Sequence, residues 1–139
     1  MTYGPDDHKP AYFCIMAGSG GREACNWAEM LLRMYGKWFD RLGLSAEIVD
    51  MIYNNPDGIK SVMIRVDGQR AYGQLKNETG VHRLSRVSPF DQADRRQTSF
   101  SAVEVMAEAA PSVEFAIDEK DLDVYYCCGS GPGGQAINK

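Results

Sequence analysis

The sequence predicts an α+β fold: a long amphipathic helix packed on a mostly antiparallel sheet, followed by an incomplete second β unit that ends in a glycine-rich loop. Three observations predict it. An apolar run at residues 11–16 has the aromatic and β-branched content of a buried strand, and the stretch after it changes to helical spacing for about 20 residues. Beyond residue 44 the spacing returns to that of strands separated by turns, and strand, long helix, antiparallel strands is the order of a helix laid on one sheet face. The chain then closes on Gly129-Ser130-Gly131-Pro132-Gly133-Gly134-Gln135, which no helix or strand interior accepts, because glycine loses backbone entropy and proline lacks an N–H donor.

Residues 1–10, with two prolines and two aspartates, read as a loose leader. Ala11-Tyr12-Phe13-Cys14-Ile15-Met16 is the first strand and ends at the glycine turn 17–21. Ala24, Trp27, Ala28, Leu31, Tyr35, Trp38, Phe39 and Leu42 then recur at three- and four-residue steps, with Arg22, Asn26, Glu29, Arg33, Lys37 and Arg41 opposite. That is one helix with an aromatic core stripe, both tryptophans included, closed by Gly43. Glu47–Tyr53 is strand-like and stops at Asn54-Asn55-Pro56-Asp57-Gly58. Lys60–Val66 puts Val62, Ile64 and Val66 on one face, and Asp67-Gly68 reads as a hairpin turn into a strand at Arg70–Leu75. The stretch from Leu75 to Thr98 is the least regular and most polar of the domain; Thr98–Val105 is strand again. After Pro111, short strands are expected at 113–117 and 122–127. The domain boundaries predicted are 1–10, 11–110 and 111–139.

At 139 residues the chain can bury one ordinary core, and 44% hydrophobic with 24% charged residues exclude a disordered chain. No apolar run approaches the roughly 18 residues of a membrane span and the N-terminus has no signal-peptide pattern, so a cytoplasmic protein, or one of an organelle matrix, is expected. Cys14, Cys25, Cys127 and Cys128 lack zinc spacing, and His8 and His82 stand apart with no motif around them, so neither metal nor cofactor is expected. The net charge of −4 hides an asymmetry: residues 60–98 hold eight Lys/Arg against four Asp/Glu. That local excess suits an RNA-facing surface on an acidic body.

Two constellations carry chemistry. In Ser88-Pro89-Phe90 the proline tightens a loop that presents a hydroxyl and a ring beside Arg83, Arg86, Arg95 and Arg96. A serine hydroxyl can satisfy adenine's N6 amine or guanine's O6, a ring offers a stacking or limiting surface, and arginines contact phosphates. In Gly133-Gly134-Gln135 the glycines permit close backbone approach to a partner, and the glutamine supplies an amide.

Glu78-Thr79-Gly80-Val81-His82-Arg83-Leu84, Ser85 through Asp91, Arg95 through Phe100, the helix start Ala17 through Ala24 and Gly133-Gly134-Gln135 together resemble bacterial-type class I peptide chain release factors of the UAA/UGA-reading branch. The resemblance runs from about Ala11 to Lys139. It implies translation termination, with the ribosome, an mRNA stop codon and P-site peptidyl-tRNA as partners, spanning the small-subunit decoding centre and the large-subunit peptidyl transferase centre. Ser88, Pro89 and Phe90 match the tripeptide that discriminates the second and third bases. Gly20, Gly21 and Glu23 match the helix N-terminus that reads the first uridine, and Thr98 the hydroxyl on the third base. Gln97 stands where the family has a histidine that separates the second and third bases, and Ala93-Asp94 replace family glycines. Gly133, Gly134 and Gln135 match the tip that enters the peptidyl transferase centre, where the Gln135 N–H would stabilise transition-state charge and its side chain would select water; Gln135 is also the family's methylation site. No acid or base of the protein is required, so a stand-alone enzyme is not expected.

In the family a helical domain precedes this region and the chain continues past the tip. The expectation is therefore a sequence truncated at both ends, either naturally short or a fragment. Two alternatives follow: a decoding module that binds stop codons without releasing peptide, and a stalled-ribosome rescue hydrolase, which shares the tip but has no use for Ser88-Pro89-Phe90.

Overall fold

The apolar run at Ala11–Ala17 (β1) occupies the middle of a five-stranded sheet, because both its faces carry residues that avoid water: Phe13 and Ile15 are fully buried on one side, Cys14 nearly so on the other. The computed structural model describes residues 4–109 and residues 120, 122, 123 and 125, and the chain divides into two units, Met1–Ala109 and Ala110–Lys139. In the first unit β1 is followed by the helix Arg22–Arg41 (α1) and the strands Ser45–Tyr53 (β2), Ile59–Asp67 (β3), Gly80–Val87 (β4) and Arg96–Ala107 (β5). The sheet order is β2-β3-β1-β5-β4, every pairing antiparallel.

Register explains the core. Phe13 stands opposite Ile64 and Val105, and Ile15 opposite Val62 and Val103, so three strands offer one continuous apolar face. Onto it α1 lays Ala28, Leu31, Tyr35 and Phe39, all buried. The Phe13 ring lies 4.7 Å from Tyr35 and 5.2 Å, edge-on, from Phe39; such pairs add about 0.5–1.5 kcal/mol beyond area burial. The helix ends as its glycine predicts: Gly43, at φ 71, follows the Leu42 cap, its N–H donating to Asp40 O (3.1 Å) while Leu44 N–H reaches back to Phe39 O (2.9 Å). Leu44 and Phe39 both join the core, the hydrophobic contact that accompanies this motif.

Four expectations are corrected. Residues 70–75 are not a strand: Ala71–Leu75 is a short helix (α2) continued by a 3-10 turn at Lys76–Glu78. β3 is already paired on both edges, by β2 and β1, so no place remains beside it for a hairpin partner. Arg70 turns the chain at φ 57, and helical spacing sends Ala71 and Leu75 together into the core. The polar stretch before Thr98 is not irregular either; Gly80–Val87 pairs with β5 from Gly80↔Val103 to Val87↔Arg96. As an edge strand it carries charged side chains on both faces, which hides the apolar alternation a strand is recognised by. The described part of the leader, residues 4–10, is not loose: Asp7, 4% exposed, accepts from Gly4 N–H (2.8 Å) and Lys76 Nζ (2.9 Å), and the N–H groups of Tyr72 and Gly73 donate to Lys9 O and Asp7 O. Finally, Trp27 and Trp38 flank the core half-buried; the Trp27 indole N–H donates to His82 O (3.0 Å) and ties α1 to β4.

Candidate functional site

Several of the residues singled out by sequence, among them Gly20, Glu23, Ser88, Phe90 and Gln97, converge where α1 begins. Gly18 is forced by close approach: its N–H donates to Phe100 O (2.9 Å), and a Cβ there would lie 2.6 Å from that oxygen. Gly20 (φ 128) and Gly21 (φ 64) then swing the chain into the helix through a conformation that side chains with a Cβ rarely adopt. Gly21 offers no side chain to cap the helix, so the amides of the first turn are left for an outside acceptor.

Glu23, in that first turn, holds the loop after β4. Its Oε1 accepts from Arg86 Nε and its Oε2 from Ser88 Oγ, each at 2.8 Å. Arg86 also donates to Asn26 Oδ1 (2.7 Å) and lies 3.6 Å from Met30 Sδ, so its guanidinium is turned inward onto α1. Ser88 is 3% exposed, and its oxygen in turn accepts the Phe90 N–H (3.1 Å). Burial pushes the Glu23 carboxyl up, but the hydrogen bonds from Arg86 and Ser88 outweigh it and hold the group below the ordinary range.

Asp91 organises the rest of the loop. It accepts from Ala93 N–H (2.9 Å), Arg95 Nε (3.0 Å) and Gln97 Nε2 (3.0 Å), and the Ala93 N–H, then Arg95 and Gln97, keep its carboxyl low. Arg22 closes the other side, its guanidinium 4.0 Å above the Phe90 ring and donating to both oxygens of Asp57 (2.9 and 2.7 Å). Between them lies an open cleft of about 380 Å³ lined by Gly20, Arg22, Glu23, Ser88, Phe90, Asp91, Gln92, Arg95 and Gln97. A larger groove, about 630 Å³, runs along α1 beside Trp38 and Glu78 and holds none of the predicted residues.

The structure thus brings together Gly20, Glu23, Ser88, Phe90 and Gln97, with Gly21 and Pro89 adjoining them. Thr98 is exposed, and strand alternation puts it on the opposite sheet face from Gln97, with Arg83 across from Phe100 on that same face. Arg95 and Arg96 are exposed at the loop's return. Gly133, Gly134 and Gln135, the strand expected at 113–117 and half of that at 122–127 lie outside the described residues. Sequence reasoning gave no role to Asp57, Arg22 or Asp91. An aspartate in a turn, bonding to the N–H two residues on, is a legible signal for Asp91; no local signal exists for the Arg22–Asp57 pair.

Residues 1–103 match the PCRF domain. Over all 139 residues the chain is 48% identical to peptide chain release factor 2 of Campylobacter hominis and 45% identical to that of Helicobacter pylori, covering 38% of each. The solved structure of RF2 of Thermus thermophilus aligns with a TM-score of 0.80 at 46% identity, over 98% of this chain and 39% of that one. The chain spans 38% of the length of those first two relatives. With a family match across most of its length, and with the fold and the cleft that carry the motif residues, this chain belongs to the peptide chain release factor 2 family.

Proposed function

We propose that this chain acts in translation termination, reading UAA and UGA in the ribosomal decoding centre through the cleft at the start of α1. The observation that carries the reading is the Glu23 carboxylate, which binds Ser88 and Arg86 at once and so sets Ser88-Pro89-Phe90 beside the uncapped helix N-terminus. First-turn amides suit the carbonyl acceptors of a uridine, and Ser88 with Phe90 suits the following purine. Because Ser88 donates its proton to Glu23, its oxygen meets adenine's N6 amine as an acceptor; reading guanine's O6 requires the hydroxyl to rotate away from Glu23. Thr98 on the far side of β5 supports separate reading of the third base, with Gln97 at the divide. Arg83, Arg95 and Arg96 are the phosphate contacts of this reading, and Arg86 is the internal one.

Gly133-Gly134-Gln135 would act in the peptidyl transferase centre, where the ribosome supplies the surrounding site for ester hydrolysis. The chain is then a promoter of peptidyl-tRNA hydrolysis in the cytoplasm, not a stand-alone enzyme.

The test uses ribosomes carrying labelled peptidyl-tRNA over UAA, UGA, UAG or UGG, and scores binding and release. Binding on UAA and UGA that is lost in Ser88→Ala and Phe90→Ala is expected. Codon-selective binding without release would favour the decoding-only module, and equal binding on all four codons would refute the proposal.

A further inference from the structure

We infer that Arg22, held by Asp57 and laid over Phe90, is a specificity-determining residue of this cleft, and that Asp57 is its positioning residue. The inference rests on the proposed codon reading and adds to it a mechanical link between the first and second bases.

The link starts in the turn between β2 and β3. Gly58, at φ 85, packs its backbone so closely on α1 that a Cβ would lie 2.7 Å from the Cys25 carbonyl carbon and 2.9 Å from Asn26 N. Asn54 N–H donates to Gly58 O and the Asn54 side-chain amide to Asp57 O, both at 3.0 Å, so the turn is rigid and fixed to the first turns of the helix. Asp57 is therefore placed before Arg22 reaches it. Its two oxygens take Nε and Nη2 of Arg22 in the bidentate fork that suits a planar guanidinium and that lysine cannot reproduce.

So oriented, the guanidinium covers Phe90 at 4.0 Å from the ring centroid. The Phe90 backbone is held by its N–H, which donates to Ser88 Oγ (3.1 Å). Arg22 thus fixes the plane of the ring that limits the second base. Arg22 is also the first residue of α1, whose amides face the first base in this reading. One side chain couples the two readings: a ring that swings free widens the cleft for wrong second bases and removes a wall from the first.

The experiment measures binding of the whole chain to ribosomes programmed with UAA, UGA or UCA, the last differing from both stop codons only at the second base. Asp57→Asn removes one negative charge, which by electrostatics alone tightens binding to RNA. The inference requires the reverse: about fivefold weaker binding on UAA, the scale of an exposed cation–π contact with its ion pair, and a smaller UAA-to-UCA ratio. The charge swap R22D/D57R keeps the net charge and the tether between turn and helix but takes the guanidinium off the ring. It should bind as weakly as Asp57→Asn. Arg22→Gln, which leaves the turn intact, should match both.

Full binding by the swap would show that the pair only tethers the turn and would overturn the inference, as would Asp57→Asn binding as tightly as wild type. Phe90 ring resonances give a readout independent of the ribosome: they should shift in all three variants, and unchanged resonances refute the contact. A wild-type chain with no preference for stop codons overturns the functional reading, and the codon role of Arg22 with it; a wild type that discriminates beside variants that do so equally well overturns this inference alone.

Discussion

Replacing Glu23 by alanine tests the centre of the cleft. The substitution removes the acceptor of two 2.8 Å hydrogen bonds, from a guanidinium whose side chain is 25% exposed and from a serine that is 3% exposed. A hydrogen bond to a charged group contributes about 1.5–3 kcal/mol where it is shielded, and Arg86 is shielded only in part, so the low end applies. The Ser88 bond, made to the same carboxylate, adds about 1.5 kcal/mol, and loss of an anion from the first turn of α1 about 0.3–1 kcal/mol. Together these predict a destabilisation of about 3–4 kcal/mol, which for a domain of this size lowers the thermal midpoint by roughly 10–20 °C. Urea or thermal unfolding of Glu23→Ala, Arg86→Met and the double variant measures it. Much of the single-variant cost is that of leaving Arg86 unpaired, so the double variant should be less destabilised than the sum by about 1–2 kcal/mol. A loss below about 0.5 kcal/mol, or strict additivity, would refute the claim that this carboxylate holds the loop to the helix.

Acid should weaken the fold in a defined window. Glu23 is held low by Arg86 and Ser88 against the effect of burial, Glu108 by Arg65, Asp7 by Lys76, Asp57 by Arg22 and Asp91 first by the Ala93 N–H. A carboxylate whose folded pKa lies below its unfolded value stabilises fully above the unfolded value and loses that contribution as pH falls through the folded one. With unfolded values of 4.5 for Glu and 3.8 for Asp, the urea midpoint should be level above about pH 5.5 and fall progressively below about pH 4.5; a midpoint unchanged to pH 3 refutes the set of ion pairs. Two glycines should respond in opposite directions to alanine. At Gly58 the positive φ and the backbone of Cys25 and Asn26 predict a loss of about 2 kcal/mol or more, whereas Gly36, inside α1 with nothing within 4 Å of its Cβ position, should gain about 0.5–1 kcal/mol from helix propensity. Unfolding midpoints shifting in the same direction would refute the placement of the β2–β3 turn on the helix.

Periodicity in the sequence was enough to locate β1, α1 with its glycine stop, β3 and β5, because each turns an apolar row toward one layer, and local spacing records which residues face it. The turns at Gly20-Gly21 and Ser88-Pro89-Phe90 were legible for a different reason: turn chemistry is a local property. β4 was not legible, since an edge strand with polar side chains on both faces carries no alternation, and its strand character comes only from its pairing with β5. Nor was α2, which is helical because β3 has no free edge and because the leader accepts its N–H groups. Arg86 shows the same limit within the site: by sequence it is one more cation among several, and only the fold turns it onto Glu23, 63 residues earlier. Arg22 with Asp57, and Asp7 with Lys76, likewise pair across 35 and 69 residues. Such partners are chosen by the path of the chain through space, where a pair's worth depends on distance and burial, and neither quantity is written in the spacing of residues along the sequence.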